Sequence, residues 1–121
     1  MSLQPMMRSK LSGLKAERDE EKRSQQIQQI IHIIYNQVIN FATGSTKTSY
    51  KYDTQENIFI INNIVEILTA LQRIFPDSLI DYTQFAWGND GQLYDISKMD
   101  EKMRPFINMN KSQKYIVIDW S

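Results

Sequence analysis

The chain has 121 residues, 41% of them hydrophobic, which is enough for one small domain and too little for two. Fourteen basic side chains balance fourteen acidic ones, so the chain lacks the strong basic excess of a dedicated nucleic-acid module. With no cysteine, a disulfide framework, a thiolate metal site and a cysteine nucleophile are all excluded, and a hydrophobic core must hold the fold.

No run approaches the roughly 20 consecutive apolar residues that a bilayer-spanning helix needs. The opening Met1 to Arg8 lacks the basic flank and apolar stretch of a secretory signal. The expectation is a soluble protein of a reducing compartment with no membrane association.

Residues 1–13 mix Pro5, Ser9, Ser12 and Gly13 without a sustained period, which predicts a disordered tail. Leu14 to Arg23, LKAERDEEKR, has high helix propensity and places Lys15 with Asp19, and Asp19 with Arg23, at i,i+4 spacing. The apolar positions Ile27, Ile30, Ile31, Ile34, Val38 and Phe41 then follow the three-and-four spacing of a helix face. Thr43-Gly44 supplies a stop. These patterns predict one helix from about Lys15 to Ala42, with a charged extension over 14–26 and a buried second half. Projecting the heptad upstream from Ile27 and Ile34 reaches Glu20 and Gly13, so the apolar seam is not that of a coiled coil.

In TKTSYKYD (46–53), Thr48, Tyr50 and Tyr52 alternate with Lys47, Ser49 and Lys51, which predicts a half-exposed strand with aromatics inward and lysines outward. The IFII run that follows fits either a strand or a helix start. Asn63 with Glu66 resembles a capping box, and Ile64, Val65, Leu68, Leu71 and Phe75 continue at helical spacing, with Ile67 and Ile74 on a second face. This is the candidate central helix, closed by Pro76.

Leu79 to Trp87 reads as a strand. Gly88-Asn89-Asp90-Gly91 is a strong turn signal, and Gln92 to Ile96 is a short return. Ser97 to Asn110 suggests a loop with one helical turn, and Ile116, Ile118 and Trp120 alternate with Tyr115, Val117 and Asp119 in the clearest strand of the chain. The order predicts a single α+β domain over 14–121, with a long N-terminal helix and a central helix packed on a small, mostly antiparallel sheet.

Catalytic parts are scarce. His32 is the sole histidine and sits on the first helix, where it lacks the partners that zinc or serine catalysis requires. An EF-hand beginning at Asn89 would need oxygen ligands where Gly91 and Leu93 stand, so a hairpin turn is the better reading. The four glycines form no phosphate loop. No catalytic residue, metal or cofactor is therefore expected, and the protein is read as non-enzymatic.

The candidate partner-binding residues are Arg18, Glu21 and Lys22 on the charged extension and Trp87, Tyr94, Met103 and Phe106 around the late loop. A protein partner or a homo-oligomer is the leading expectation. Nucleic-acid binding ranks second: residues 1–26 carry a net charge of +2, and lysines beside tyrosines on 46–53 could hold a single strand, although alternation sets the two on opposite faces.

INFATGSTKTSYKYD, IVEILTALQRIFPDSLIDYT and the terminal YIVIDWS together resemble small proteins of unassigned activity from nucleocytoplasmic large DNA viruses, the mimivirus-like giant viruses in particular. The resemblance covers residues 27–121. It implies a viral protein packaged in the particle or acting in host cytoplasm, and it assigns no site residues.

Overall fold

The computed structural model describes residue 3 and residues 5–121. Helix α1 spans Arg8–Gly44, followed by β1 (Ser49–Asp53), α2 (Ile58–Asn62), α3 (Ile64–Ile74), β2 (Leu79–Gly88) and β3 (Leu93–Asp95). Two 3-10 turns, Ile96–Lys98 and Glu101–Phe106, then lead into β4 (Ile107–Asp119). The strands form one sheet in the order β1-β4-β2-β3, with every neighbouring pair antiparallel. The fold is α+β, as the pattern of elements predicts.

The helices cover one face of the sheet. Ile27, Ile31, Ile34 and Val38 of α1, Ile60 of α2, and Ile67 and Leu71 of α3 meet Ile116 and Ile118 of β4, with Tyr50, Tyr52, Ile80 and Tyr82 packed around them. Ile34, Ile67, Leu71, Ile116 and Ile118 are fully buried, each contributing about 1.5–3 kcal/mol from removal of apolar area from water. The opposite face carries a smaller cluster, in which the Phe85 ring meets Tyr115 edge-on at 5.4 Å and lies under the Lys51 ammonium.

Several boundaries and faces differ from the sequence reading. Helix α1 begins at Arg8 instead of Lys15, because Gly13 is tolerated in a helix interior at modest cost. Of the expected tail, residues 1, 2 and 4 lie outside the described residues. Gly44 is the last helical residue and Ser45 turns extended, so the stop needs no left-handed glycine. The IFII run is helical, capped by Asn57, whose side chain accepts from the N–H groups of Phe59 and Ile60.

Asn63 separates α2 from α3 but does not cap α3 with its side chain. Its amide instead donates to the Phe59 carbonyl at 2.8 Å. Of the first predicted face, Leu71 is completely buried and Ile64, Leu68 and Phe75 pack on the core, but Val65 is 74% exposed; of the second, Ile67 is completely buried and Ile74 is 42% exposed.

Strand β4 starts at Ile107, well before the expected segment near Lys114, and it is irregular. Ala86 of β2 faces Ser112, yet the next residue, Trp87, faces Asn108, so Met109, Asn110 and Lys111 have no counterpart and form a bulge. The Asn108 side chain accepts from the Asn110 N–H at 3.1 Å within it.

Candidate functional site

Two regions carry the residues singled out by sequence, and α1 is the first. It is about 55 Å long at 1.5 Å per residue, and its first buried residue is Ile27, so about 28 Å of helix from Arg8 to Gln26 buries none. Arg18, Glu21 and Lys22 all lie in this arm and are exposed. Met7, Leu11 and Leu14, at 73%, 54% and 39% exposure, recur at four-and-three spacing and so form a short apolar stripe on one side.

The arm is fixed to the body by Arg23. Its guanidinium donates to both carboxylate oxygens of Glu20, at 2.9 and 2.5 Å, and to Asn63 Oδ1 at 2.9 Å and Glu66 at 2.6 Å. Hydrogen bonds to Glu20 and then to Glu66 raise the Arg23 pKa above its already high value, and Arg23 lowers that of Glu20. Asn63 and Glu66 thus form a docking point for Arg23 where a capping box was expected. Arg23 pairs with Glu20 and Glu66, and among the described residues neither expected Asp19 pair forms.

The second region is the tip of the β2–β3 hairpin. Gly88 to Gly91 forms the expected turn: the Gly88 N–H donates to Gln92 O at 2.8 Å and the Gly91 N–H to Gly88 O at 3.1 Å. Gly91 takes φ +78°, a left-handed conformation that favours glycine. A Cβ on Gly88 would lie 2.7 Å from Tyr94 Cε2 and 2.8 Å from Asp90 Oδ1, so the Tyr94 ring can cross the strand only because residue 88 has no side chain. Tyr94 donates its phenolic hydrogen to Asp90, which with the Gln92 N–H holds the Asp90 carboxyl below its ordinary range.

The second 3-10 turn closes over this hairpin, anchored by the Asn89 N–H donating to Phe106 O at 2.8 Å. Tyr94, Met103 and Phe106 consequently line one cavity of about 240 Å³ with Gly88, Asn89, Asp90 and Ile107. Phe106 is 57% exposed at its rim. The fourth predicted residue, Trp87, is not part of it. Its side chain borders a different cavity with Gln55, Glu56, Asn110 and Lys111, on the side where the β4 bulge lies.

The hairpin cavity is lined mostly by carbon, and its one acid is engaged by Tyr94, which suits it to an apolar side chain rather than to proton transfer. His32 is exposed on α1. Tyr50 and Tyr52 pack against the helical core, so β1 offers solvent Lys51 without an aromatic stacking platform. No helix among the described residues is long and apolar enough to cross a membrane. No family model, curated protein or solved structure matches the chain.

A third region was not visible in the sequence. Thr54, Glu56, Ile61, Tyr82, Gln84, Ser112, Gln113 and Lys114 surround a cavity of about 350 Å³, between the β1–α2 turn with α2 and strands β2 and β4. Its residues come from four separate segments, and no local motif marks them.

Proposed function

We propose that the protein is a non-enzymatic structural or interaction protein whose rigid α+β body presents the α1 arm, and secondarily the hairpin tip, to protein partners. The observation that carries this reading is the arm itself. A stretch of helix polar on most sides gains little from burial within its own chain, and short isolated helices are marginal in water. Here the stretch is continued from a buried helix and clamped at Arg23, leaving Met7, Leu11, Leu14, Arg18, Glu21 and Lys22 free to meet a partner helix. The resemblance to giant-virus proteins extends the proposal to a virion-associated component of a large DNA virus.

Removal of residues 1–22 tests the reading, because it deletes the arm and leaves Arg23 and the core in place. Light scattering on the full chain, with a pull-down from host or particle, is expected to give either a self-associated mass or a captured partner that the truncated chain loses, with the thermal midpoint of the body retained. A strictly monomeric full chain whose captured proteins are identical to those of the truncated chain would overturn it. Nucleic-acid binding through the basic N-terminal segment and 46–53 is the second reading, and it lacks the stacking surface that β1 would need. Binding that falls steeply between about 50 and 200 mM salt would favour it over the first.

A further inference from the structure

The cavity at the β1–α2 turn carries an inference independent of the arm. Gln55 and Glu56 take φ +52° and +56°, two consecutive left-handed residues at positions where Asn-Gly would be the relaxed choice. The turn is tied down by the Thr54 hydroxyl, which donates to Lys114 O at 2.8 Å, and by the Asn57 N–H, which donates to Thr54 O at 2.9 Å. Thr54 is the buried polar residue of the described chain, at 2% exposure.

This backbone places Glu56 on the cavity wall, with Lys114 among the other lining residues. The two charges do not pair with each other, and neither forms an ion pair among the described residues. Lys114 instead lies over the Tyr82 ring, 5.4 Å from its centre, which fixes its stem and leaves the ammonium free to take further acceptors.

The neutral groups are also arranged for polar recognition. Gln84 Nε2 donates to the Ser112 hydroxyl at 2.6 Å, which orients both and leaves the Gln84 carbonyl oxygen free to accept. Tyr82 also lines the cavity, although its hydroxyl is buried from solvent and has no hydrogen-bond partner among the described residues. Ile61 and the Tyr82 ring supply the apolar part of the lining. A cation, an anion and neutral donors and acceptors around a cavity of about 350 Å³ complement a small molecule that carries both charges.

We propose that this cavity binds a free α-amino acid with a polar side chain, its carboxylate on Lys114, its ammonium on Glu56, and its side chain toward Gln84 and Ser112. The strained turn then has a function, since it holds the carboxylate that a relaxed glycine would not supply.

The test uses the full chain with L-glutamine as probe, and N-acetyl-L-glutamine and L-glutamine methyl ester as analogues that lack the ammonium and the carboxylate. Calorimetric titration at millimolar concentrations is expected to show binding of L-glutamine, with each analogue weaker by about tenfold or more because a charged hydrogen bond is lost. Lys114→Met keeps the stem over Tyr82 and should weaken binding by a similar factor. Glu56→Gly separates fold from function: relief of the left-handed strain should raise the thermal midpoint while binding is lost. Equal binding of all three compounds, no binding of L-glutamine, or retention of full affinity in Glu56→Gly would each overturn the proposal.

Discussion

Ile67 and Val65 lie two residues apart on α3, and the structure assigns them opposite fates. Ile67 is completely buried and Val65 is 74% exposed. Truncating Ile67 to Ala removes about three buried carbon groups at about 0.8 kcal/mol each, and incomplete collapse of the cavity adds on the order of 1 kcal/mol, for about 3–4 kcal/mol in all. Val65→Ala exposes little that is not already wet, and alanine's better helix propensity offsets a few tenths of a kcal/mol, so its net effect is about zero. Since a domain of this size has about 5–15 kcal/mol to lose, the first variant should move the urea midpoint strongly and the second scarcely at all, with unchanged slopes. Equal losses in the two variants, or a larger loss at Val65, would refute the assigned faces of α3.

Three further expectations concern charge and turn geometry. Burial raises the pKa of Tyr50, Tyr52, Tyr82 and Tyr115, so the unfolded chain releases these protons near pH 10 while the folded chain retains them to higher pH. Their contribution to stability is complete below about pH 10 and lost as pH rises beyond it; denaturant midpoints should fall there while phenolate absorbance of the folded chain rises later than that of the unfolded chain, and ordinary titration of all four in the intact fold would contradict this. Arg23→Ala should speed amide exchange through residues 8–26 and leave 31–38 protected, with an effect that shrinks at high salt; uniform acceleration of both halves would mean that Arg23 does not clamp the arm. Gly88→Ala should cost about 1–3 kcal/mol by overpacking and displace Tyr94 from Asp90, visible as a loss of the near-ultraviolet tyrosine signal, whereas wild-type stability would show that the ring has room to move.

Legibility in the sequence followed exposure to a single covered face. Tyr50 with Tyr52, and Ile116 with Ile118, alternate cleanly because each pair faces the helices while its neighbours do not, and α1 declares itself because Ile27, Ile31, Ile34 and Val38 contact one body. The start of α3 at Asn63 was legible, but which of its apolar residues stays exposed was not, since Val65 and Ile74 read as apolar as Ile67 and Leu71; for α2 the usable signal was Asn57, a good cap directly before the IFII run. The first half of β4 was hidden because Asn108 to Lys111 are all exposed and, apart from Met109, polar, with no buried alternation to read. Tyr94, Met103 and Phe106 could be grouped because bulky residues crowd a short stretch after a turn. Thr54, Tyr82 and Lys114 could not, because only pairing of β2 with β4, and the Thr54 bond across to β4, brings them together.

The strand order has a consequence for how the chain acquires its fold. β4, the last strand in sequence, lies between β1 and β2, and Ser49 is aligned with Asp119 across the first of these pairings. During synthesis, β1 has no sheet neighbour until residues 115–119 have left the ribosome, and β2 has only the short β3. Ile116 and Ile118 also complete the surface on which α1 closes. The helices can form early, but the sheet and core arise together in a step dominated by distant pairings, of the kind that slows folding. Nascent chains halted before β4 should therefore hold helix without protected strands, and their exposed Ile-rich faces would be the surfaces a chaperone meets.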